Sequence, residues 1–429
     1  MTTKRHKLGL GSVILLGINS IMGPGIFFLP GKMMALVGPF SLYLYLLAAA
    51  AALLIAWCFA ECASLFSRGG AAYTYAREAF GEFVGFQVGI MKWISTILAS
   101  AALTVGFVTI LSELFPLFQQ PYYHAAVLMA IIAGLTASNL MGTSLLRYIN
   151  NGTAIAKLLP MLGFIGLGAF YIETTHFSPL LTLDIATDNV GPAAIAIFFA
   201  FSGFEGLALA SEEISNSKRN LPIAILATLL ITAAIYFLIH ATLIGILGPS
   251  LAHSDLPIAH AIEHIAGEGG KVFVLIIMLI ASLGTNIAAS FIAPRIAVAL
   301  AKDSLLPSPL AATNEANIPT TAIVVTAVLT LAVALSGSFT MLATISVVTR
   351  FMQYFPTCLA VLVFRSSRPD LRSNFPRIMG PVIPFAALAV IAWMLSSATA
   401  VALVAVGGCL LATIPLYWWQ KSCIELGSA

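Results

Sequence analysis

Apolar runs long enough to cross the roughly 30 Å hydrocarbon core of a bilayer as a helix fall at 9–36, 40–66, 84–114, 122–141, 151–172 and 191–211. Six more follow at 221–248, 270–302, 319–336, 339–364, 378–398 and 400–421. The pattern predicts an all-α membrane protein with twelve transmembrane helices. Two runs are interrupted by residues that an ordinary membrane helix does not need. In 17–31, GINSIMGPGIFFLPG, the interruption is Gly23, Pro24 and Gly25; in 198–211, FFAFSGFEGLALAS, it is Ser202, Gly203, Glu205 and Gly206. Lipid offers no hydrogen-bond partner, so unwound backbone survives at membrane depth only where protein buries it or a cavity borders it. A matched pair of such breaks points to a substrate site near the bilayer midplane of a secondary transporter. The plainer reading is that Gly and Pro are simply commoner in membrane helices.

Composition narrows the class. Of 429 residues 60% are hydrophobic and 9% charged, with a mean hydropathy of +1.00. A soluble enzyme would carry about 25% charged residues. The net charge of +3 is a signal of orientation, not of nucleic-acid binding. With the N-terminus inside, the inner segments carry Lys4, Arg5, Lys7, Arg68, Arg77, Arg147, Lys218, Arg219, Lys302, Arg365, Arg368, Arg372, Arg377 and Lys421. The outer segments carry Lys271 alone, beside Glu173, Asp184, Asp188, Asp255, Glu263 and Glu268. That asymmetry predicts both termini on the cytoplasmic side.

The opening MTTKRHK is too short and polar for a cleaved signal, and the apolar segment after it is read as helix one. Cys58, Cys62, Cys358, Cys409 and Cys423 lack metal-ligand spacing and read as apolar filler. No outer cysteine marks a linked accessory chain, and no obligate partner protein is expected. Asn151 begins a glycosylation triplet by letter only, since its loop is predicted cytoplasmic. The glycines of 267–270 lack a nucleotide-binding pattern, so the expectation is no enzyme, no cofactor and no metal.

The breaks lie about 180 residues apart, which divides residues 1–429, one transporter domain, into repeats 9–172 and 191–364, with 378–421 outside them. Five spans per repeat invert the second copy.

Three motifs carry a resemblance. MGPGIFFLPG is similar to a G-[SP]-G-I-F opening helix. FFAFSGFEGLALASEEISNSKRNLPIAI follows a pattern of aromatic residue, G-F-[DE], paired carboxylates, N-P-x-R and L-P, with Ser217 in place of the usual Pro. PRIAVALAKDSLLP resembles R-x-x-x-A-x-A-[RK]-D-x-L-L-P. Together they resemble the amino acid-polyamine-organocation superfamily, which implies the LeuT-type five-plus-five inverted repeat with helices one and six broken.

An amino acid's carboxylate and ammonium must be desolvated together, and isolated charge in hydrocarbon is costly. At the first break, backbone N–H groups of Gly23, Gly25 and Ile26 are positioned to hold a carboxylate at a helix N-terminus; Pro24 has none to offer. The half-helix ending near Ser202 leaves carbonyls suited to an ammonium. The resemblance implies those of Phe199, Ala200 and Ser202, with Phe199 and Phe201 as an aromatic lid or as plain packing. Glu205 is a carboxylate within a span and hence a functional candidate; the resemblance implies a role in transport, and capping the second half-helix is the structural alternative. Lys157 lies on helix five, where the resemblance implies an ammonium replacing the cation that sodium-coupled relatives hold between helices one and eight. The alternative is a snorkelling lysine. Lys92, Glu61, Arg295 and Arg350 read as internal ion pairs or gate elements. Asn19, Ser95, Ser282, Thr285, Asn286, Ser290 and Thr344 read as interhelical hydrogen-bond formers.

These expectations add up to an amino acid transporter of the cytoplasmic (inner) membrane, working by alternating access, linked to H+ and independent of sodium. The rivals are an exchanger of cationic amino acids or polyamines, and a membrane sensor or channel sharing the fold.

Overall fold

The structure is a computed structural model describing residues 7–66, 71–141, 146–178, 187–368, 375–376 and 379–427. Lys4, Arg5, Arg68, Asp184, Arg372 and Arg377, used in the charge argument above, lie outside the described residues, as do the side chains of Arg147, Asn151 and Cys423. The described chain is helical throughout; its one strand-like contact is an isolated parallel bridge between Leu8 and Ile214.

Eight segments are long and apolar enough to cross a membrane: Gly25–Leu65, Glu82–Leu114, Pro121–Leu140, Asp188–Leu209, Ser217–His253, Pro257–Lys302, Phe339–Ser367 and Ala400–Ser422. Shorter apolar helices occupy Leu10–Ile21, Lys157–Tyr171, Thr320–Ala334 and Val382–Ser396. Each predicted span overlaps one of these segments.

The first predicted span is two helices, α1 (Leu10–Ile21) and α2 (Gly25–Val37). Met22 leaves helical geometry with ψ 97°. The ladder restarts only when Phe27 and Phe28 donate to the Pro24 carbonyl at 2.9 and 3.2 Å. Proline without an N–H, set between two glycines, removes the bonds that would have joined the halves. Helix α3 (Ser41–Leu65) follows. An amphipathic helix α4 (Ala72–Phe80) leads into α5 (Glu82–Leu114), α6 (Pro121–Leu140) and α7 (Leu146–Gly168).

Helix α8 (Thr187–Phe201) ends at the second break, and a 3-10 stretch, Phe204–Glu213, continues the span. Gly203 sits at φ +118°, a region that glycine alone enters without strain. A Cβ there would also lie 2.7 Å from the Ser20 carbonyl oxygen. Conformation and close approach to helix one both demand glycine at this position. Helices α9 (Ser217–Leu247), α10 (Pro257–Lys302), α11 (Thr320–Ala334), α12 (Phe339–Ser367), α13 (Val382–Ser396) and α14 (Ala400–Gly427) complete the chain. Helix α10 starts earlier than the predicted 270 because a short helix runs into it across a kink at Gly267, φ +70°.

Helices α3 and α9 pack together, and α5 packs against both α10 and α12; these contacts enclose the two breaks. Helix α6 buries only Leu128, Ile132 and Asn139, so most of its apolar surface faces outward, as lipid permits. At the cytoplasmic end predicted from the charges, Leu8 donates to Glu213 O at 2.8 Å and receives Ser215 N at 3.0 Å. The entrance to α1 is thereby fastened to the end of the 204–213 stretch.

Candidate functional site

The two breaks abut. A Cβ on Gly25 would stand 3.2 Å from both Cα and Cβ of Ala200, and Ser20 Oγ donates to the Gly203 carbonyl at 3.1 Å. Ser20, Gly23, Gly203 and Gly206 stay partly accessible, whereas Met22, Gly25, Ile26, Ser202 and Glu205 are buried. No backbone carbonyl among the described residues takes the N–H of Gly23, Gly25 or Ile26. Those of Gly25 and Ile26 open α2, whose dipole favours an anion there. Beyond them, Phe339 packs on Phe28 and Phe199 with ring centroids 4.8 and 5.7 Å away. Phe199 therefore belongs to an aromatic layer over the first break. Phe201 is fully buried and faces Tyr236 on α9 at 5.5 Å, apart from that layer.

Lys157 turns its head inward, not to the membrane surface, and is 2% exposed. Its Nζ meets Asn19 Oδ1 at 2.7 Å, Asn19 O at 3.4 Å, Met22 O at 3.1 Å and Thr285 Oγ1 at 2.5 Å. Three of these oxygens come from the end of α1 and one from α10. The last carbonyls of a helix lack intrahelical donors and carry partial negative charge. The ammonium satisfies two of them where the break leaves them bare.

The carbonyls predicted to hold an ammonium at the second break are not equally bare. The Phe199 carbonyl is not a free acceptor for an ammonium, because it receives both Ser202 N at 3.1 Å and Ser202 Oγ at 2.7 Å. A serine next to a helix end competes for nearby backbone in this way. Ala200 and Ser202 remain as the other predicted acceptors.

Glu205 is no isolated carboxylate. Its Oε2 accepts from Gly203 N at 2.9 Å, and its Oε1 accepts from Lys92 Nζ at 3.3 Å and from Arg350 Nη1. Capping and ion pairing are thus both present in one group, which joins the 204–213 stretch to α5 and α12. Glu61, by contrast, pairs with Arg365 at 2.7 and 2.5 Å through two parallel bonds. Arg295 donates to Phe291 O at 2.7 Å and lies over the Phe291 ring, with no carboxylate in ion-pair range among the described residues.

Most of the predicted interhelical polar residues find partners; the buried Ser282 Oγ has none among the described residues. Ser95 receives Gln353 Nε2 at 2.8 Å on its Oγ and Ser346 Oγ at 3.0 Å on its carbonyl. Asn286 receives Thr104 Oγ1 at 2.9 Å and donates to Leu103 O at 3.1 Å, and Ser290 accepts from Asn139 at 3.2 Å. Thr344 instead donates to its own helix, at Thr340 O, 2.8 Å. Gln353 and Ser20 were not singled out in the sequence; Gln353 lies three residues from Arg350, and Ser20 follows Asn19. A further cluster unites α4 with the end of α10: Tyr73 donates to Asp303 at 2.7 Å and Arg77 to Tyr73 at 3.1 Å. Partial burial and the Asp303 hydrogen bond push the Tyr73 hydroxyl above its ordinary pKa, so it stays a donor at neutral pH.

Comparison with known proteins finds membrane transporters. The family model described as amino acid permease matches residues 8–423. An uncharacterised transporter of Mycobacterium tuberculosis is 34% identical over 85% of this chain and 81% of its own length. The branched-chain amino acid permease of Bacillus subtilis is 28% identical, covering 89% and 85% of the two chains. The methylthioribose transporter of the same organism is 24% identical, covering 91% and 88%.

Proposed function

We propose, given that this chain belongs to the amino acid permease family of the amino acid-polyamine-organocation superfamily, that it carries an amino acid across the cytoplasmic membrane by alternating access. In this reading twelve spans cross the membrane with both termini inside. Residues 9–172 and 191–364 form the inverted repeat, and helices one and six rock around a substrate held at their breaks. Packing supports the repeat: α1 against α9 has its counterpart in α8 against α3, α5–α12 in α10–α7, and α1–α7 in α8–α12. The substrate carboxylate goes to the N–H groups of Gly23, Gly25 and Ile26, and its ammonium to the carbonyls of Ala200 and Ser202.

The observation that carries the coupling is Lys157 Nζ among Asn19, Met22 and Thr285. A tethered ammonium between helices one and eight occupies the volume a sodium ion would need, so transport runs without sodium. Loss of its proton removes the charge that fastens α1 to α10, which links proton movement to the opening of that contact. Glu205, the residue that favours exchange of a cationic amino acid or polyamine, is engaged by two cations, which supports the proton-linked reading over that rival.

Purified protein in sodium-free proteoliposomes tests this. An inward proton gradient should drive accumulation of labelled amino acid, and preloaded substrate should accelerate counterflow, which a channel would not support. Uptake that needs sodium, or that ignores the proton gradient, overturns the coupling.

A further inference from the structure

Among the described residues the buried charges around the breaks do not balance. There Lys92, Lys157 and Arg350 are buried cations and Glu205 is the buried carboxylate beside them; Glu61, also buried, is committed to Arg365. Lys157 is met by neutral oxygens alone. Glu205 therefore answers to both Lys92 and Arg350, through the same oxygen. A guanidinium has five N–H donors and an ammonium three. Among the described residues, Arg350 uses Nη1 on Glu205 and Nε on Ser346 Oγ at 3.5 Å and also interacts with the Tyr354 hydroxyl, while Lys92 Nζ meets Glu205. Surplus positive charge in a low-dielectric interior is expensive until an anion answers it.

The surplus is also within reach of the break. Glu205 bonds the Gly203 N–H, and Gly203 and Gly206, which flank it, are partly accessible. Lys92 and Arg350 are each 7% exposed, against 1% for Glu205. A zwitterion brings no net charge and leaves the surplus as it was. An amino acid with a second carboxylate removes it, and a guanidinium matches that group in shape as well as charge.

We propose that Lys92 and Arg350 form an anion subsite beside the helix-six break and that the preferred substrate is an acidic, dicarboxylate amino acid. This rests on the transport reading above and sharpens it by charge class. A cationic substrate would add to the surplus and is disfavoured by the same argument.

The test is thermal stabilisation of the purified full chain, with competition for uptake, by the isosteric pairs aspartate/asparagine and glutamate/glutamine, with lysine and succinate alongside. Each acid should outcompete its amide by about tenfold, which corresponds to about 1.4 kcal/mol, and lysine should be the weakest. Amides equal to or better than acids, with amino acids still bound, overturn the subsite and leave the transporter reading standing. Stabilisation by succinate without any by amino acids supports the anion subsite and removes the amino acid reading. Silence from all these probes removes the acidic-substrate proposal, and silence from leucine as well removes the amino acid reading. Arg350→Gln should erase the acid-over-amide ratio. Because that change also unpairs a buried group, the double variant Lys92→Met with Glu205→Gln is the companion: it deletes one charge of each sign and keeps Arg350, so the ratio should fall with the lost Lys92 donor yet stay above one. Loss of the ratio in a monodisperse double variant overturns the charge argument.

Discussion

The two helix breaks solve the same problem with opposite charges. In helix one, proline and two glycines cut the ladder, and the exposed carbonyl end of α1 is closed by a cation from elsewhere, Lys157 on α7. In helix six, glycine in a left-handed turn cuts it, and the N–H at the start of the second half is closed by an anion from the same segment, Glu205. Each charge meets the end of the helix dipole that favours it. The difference lies in dependence: Lys157 needs no counter-ion because polar oxygens surround it, whereas Glu205 draws in Lys92 and Arg350. The first break can lose its plug without stranding another charge; the second cannot.

Substitutions can break or sharpen that contrast. The largest effect expected is on stability at the second break. Glu205→Gln leaves two buried cations without their carboxylate, and uncompensated charge of this kind costs about 3–5 kcal/mol, read as a large fall in thermal midpoint. An unchanged midpoint would mean that the triad is not a structural joint. At the first break, Lys157→Ala should lower the midpoint less than Glu205→Gln does, since it strands neutral acceptors and no charge, yet cut proton-driven accumulation by about a hundredfold, equivalent to about 2.7 kcal/mol. Uptake in that variant should no longer vary with external pH; a wild-type pH profile would remove Lys157 from coupling. Gly203→Ala forces a side chain to positive φ against the Ser20 carbonyl. It should cost about 1–3 kcal/mol, with turnover reduced more than substrate binding, measured by comparing maximal rate and half-saturation. The smallest effect belongs to the periphery. Asp303→Asn weakens the Tyr73 and Arg77 cluster, where exposed ion pairs contribute about 0–1 kcal/mol, and transport should fall by less than about fivefold.

Much of this architecture was readable in the chain. Span length and the Gly and Pro interruptions located the helices and both breaks, because membrane helices need uninterrupted apolar runs and these two segments refuse them. The amphipathic α4 fell outside a reading based on apolar length. Lys157 could be placed against helices one and eight only through the family resemblance, since nothing in IAKLLP indicates which way the side chain points. The joint around Glu205 stayed hidden for another reason: its partners lie 113 and 145 positions away, and spacing along one helix carries no information about such pairs. The occupied Phe199 carbonyl was nearer to hand, since Ser202 three residues on is a known competitor for backbone at a helix end.

The short clasp between Leu8 and the 213–215 strand-like segment has a practical consequence. It makes the leading edge of the chain a handle on the second break as well as the first. A bulky purification tag fused directly ahead of Leu8 would load α1 and the 204–213 stretch at once, so a functional assay is best built on protein tagged at its other end.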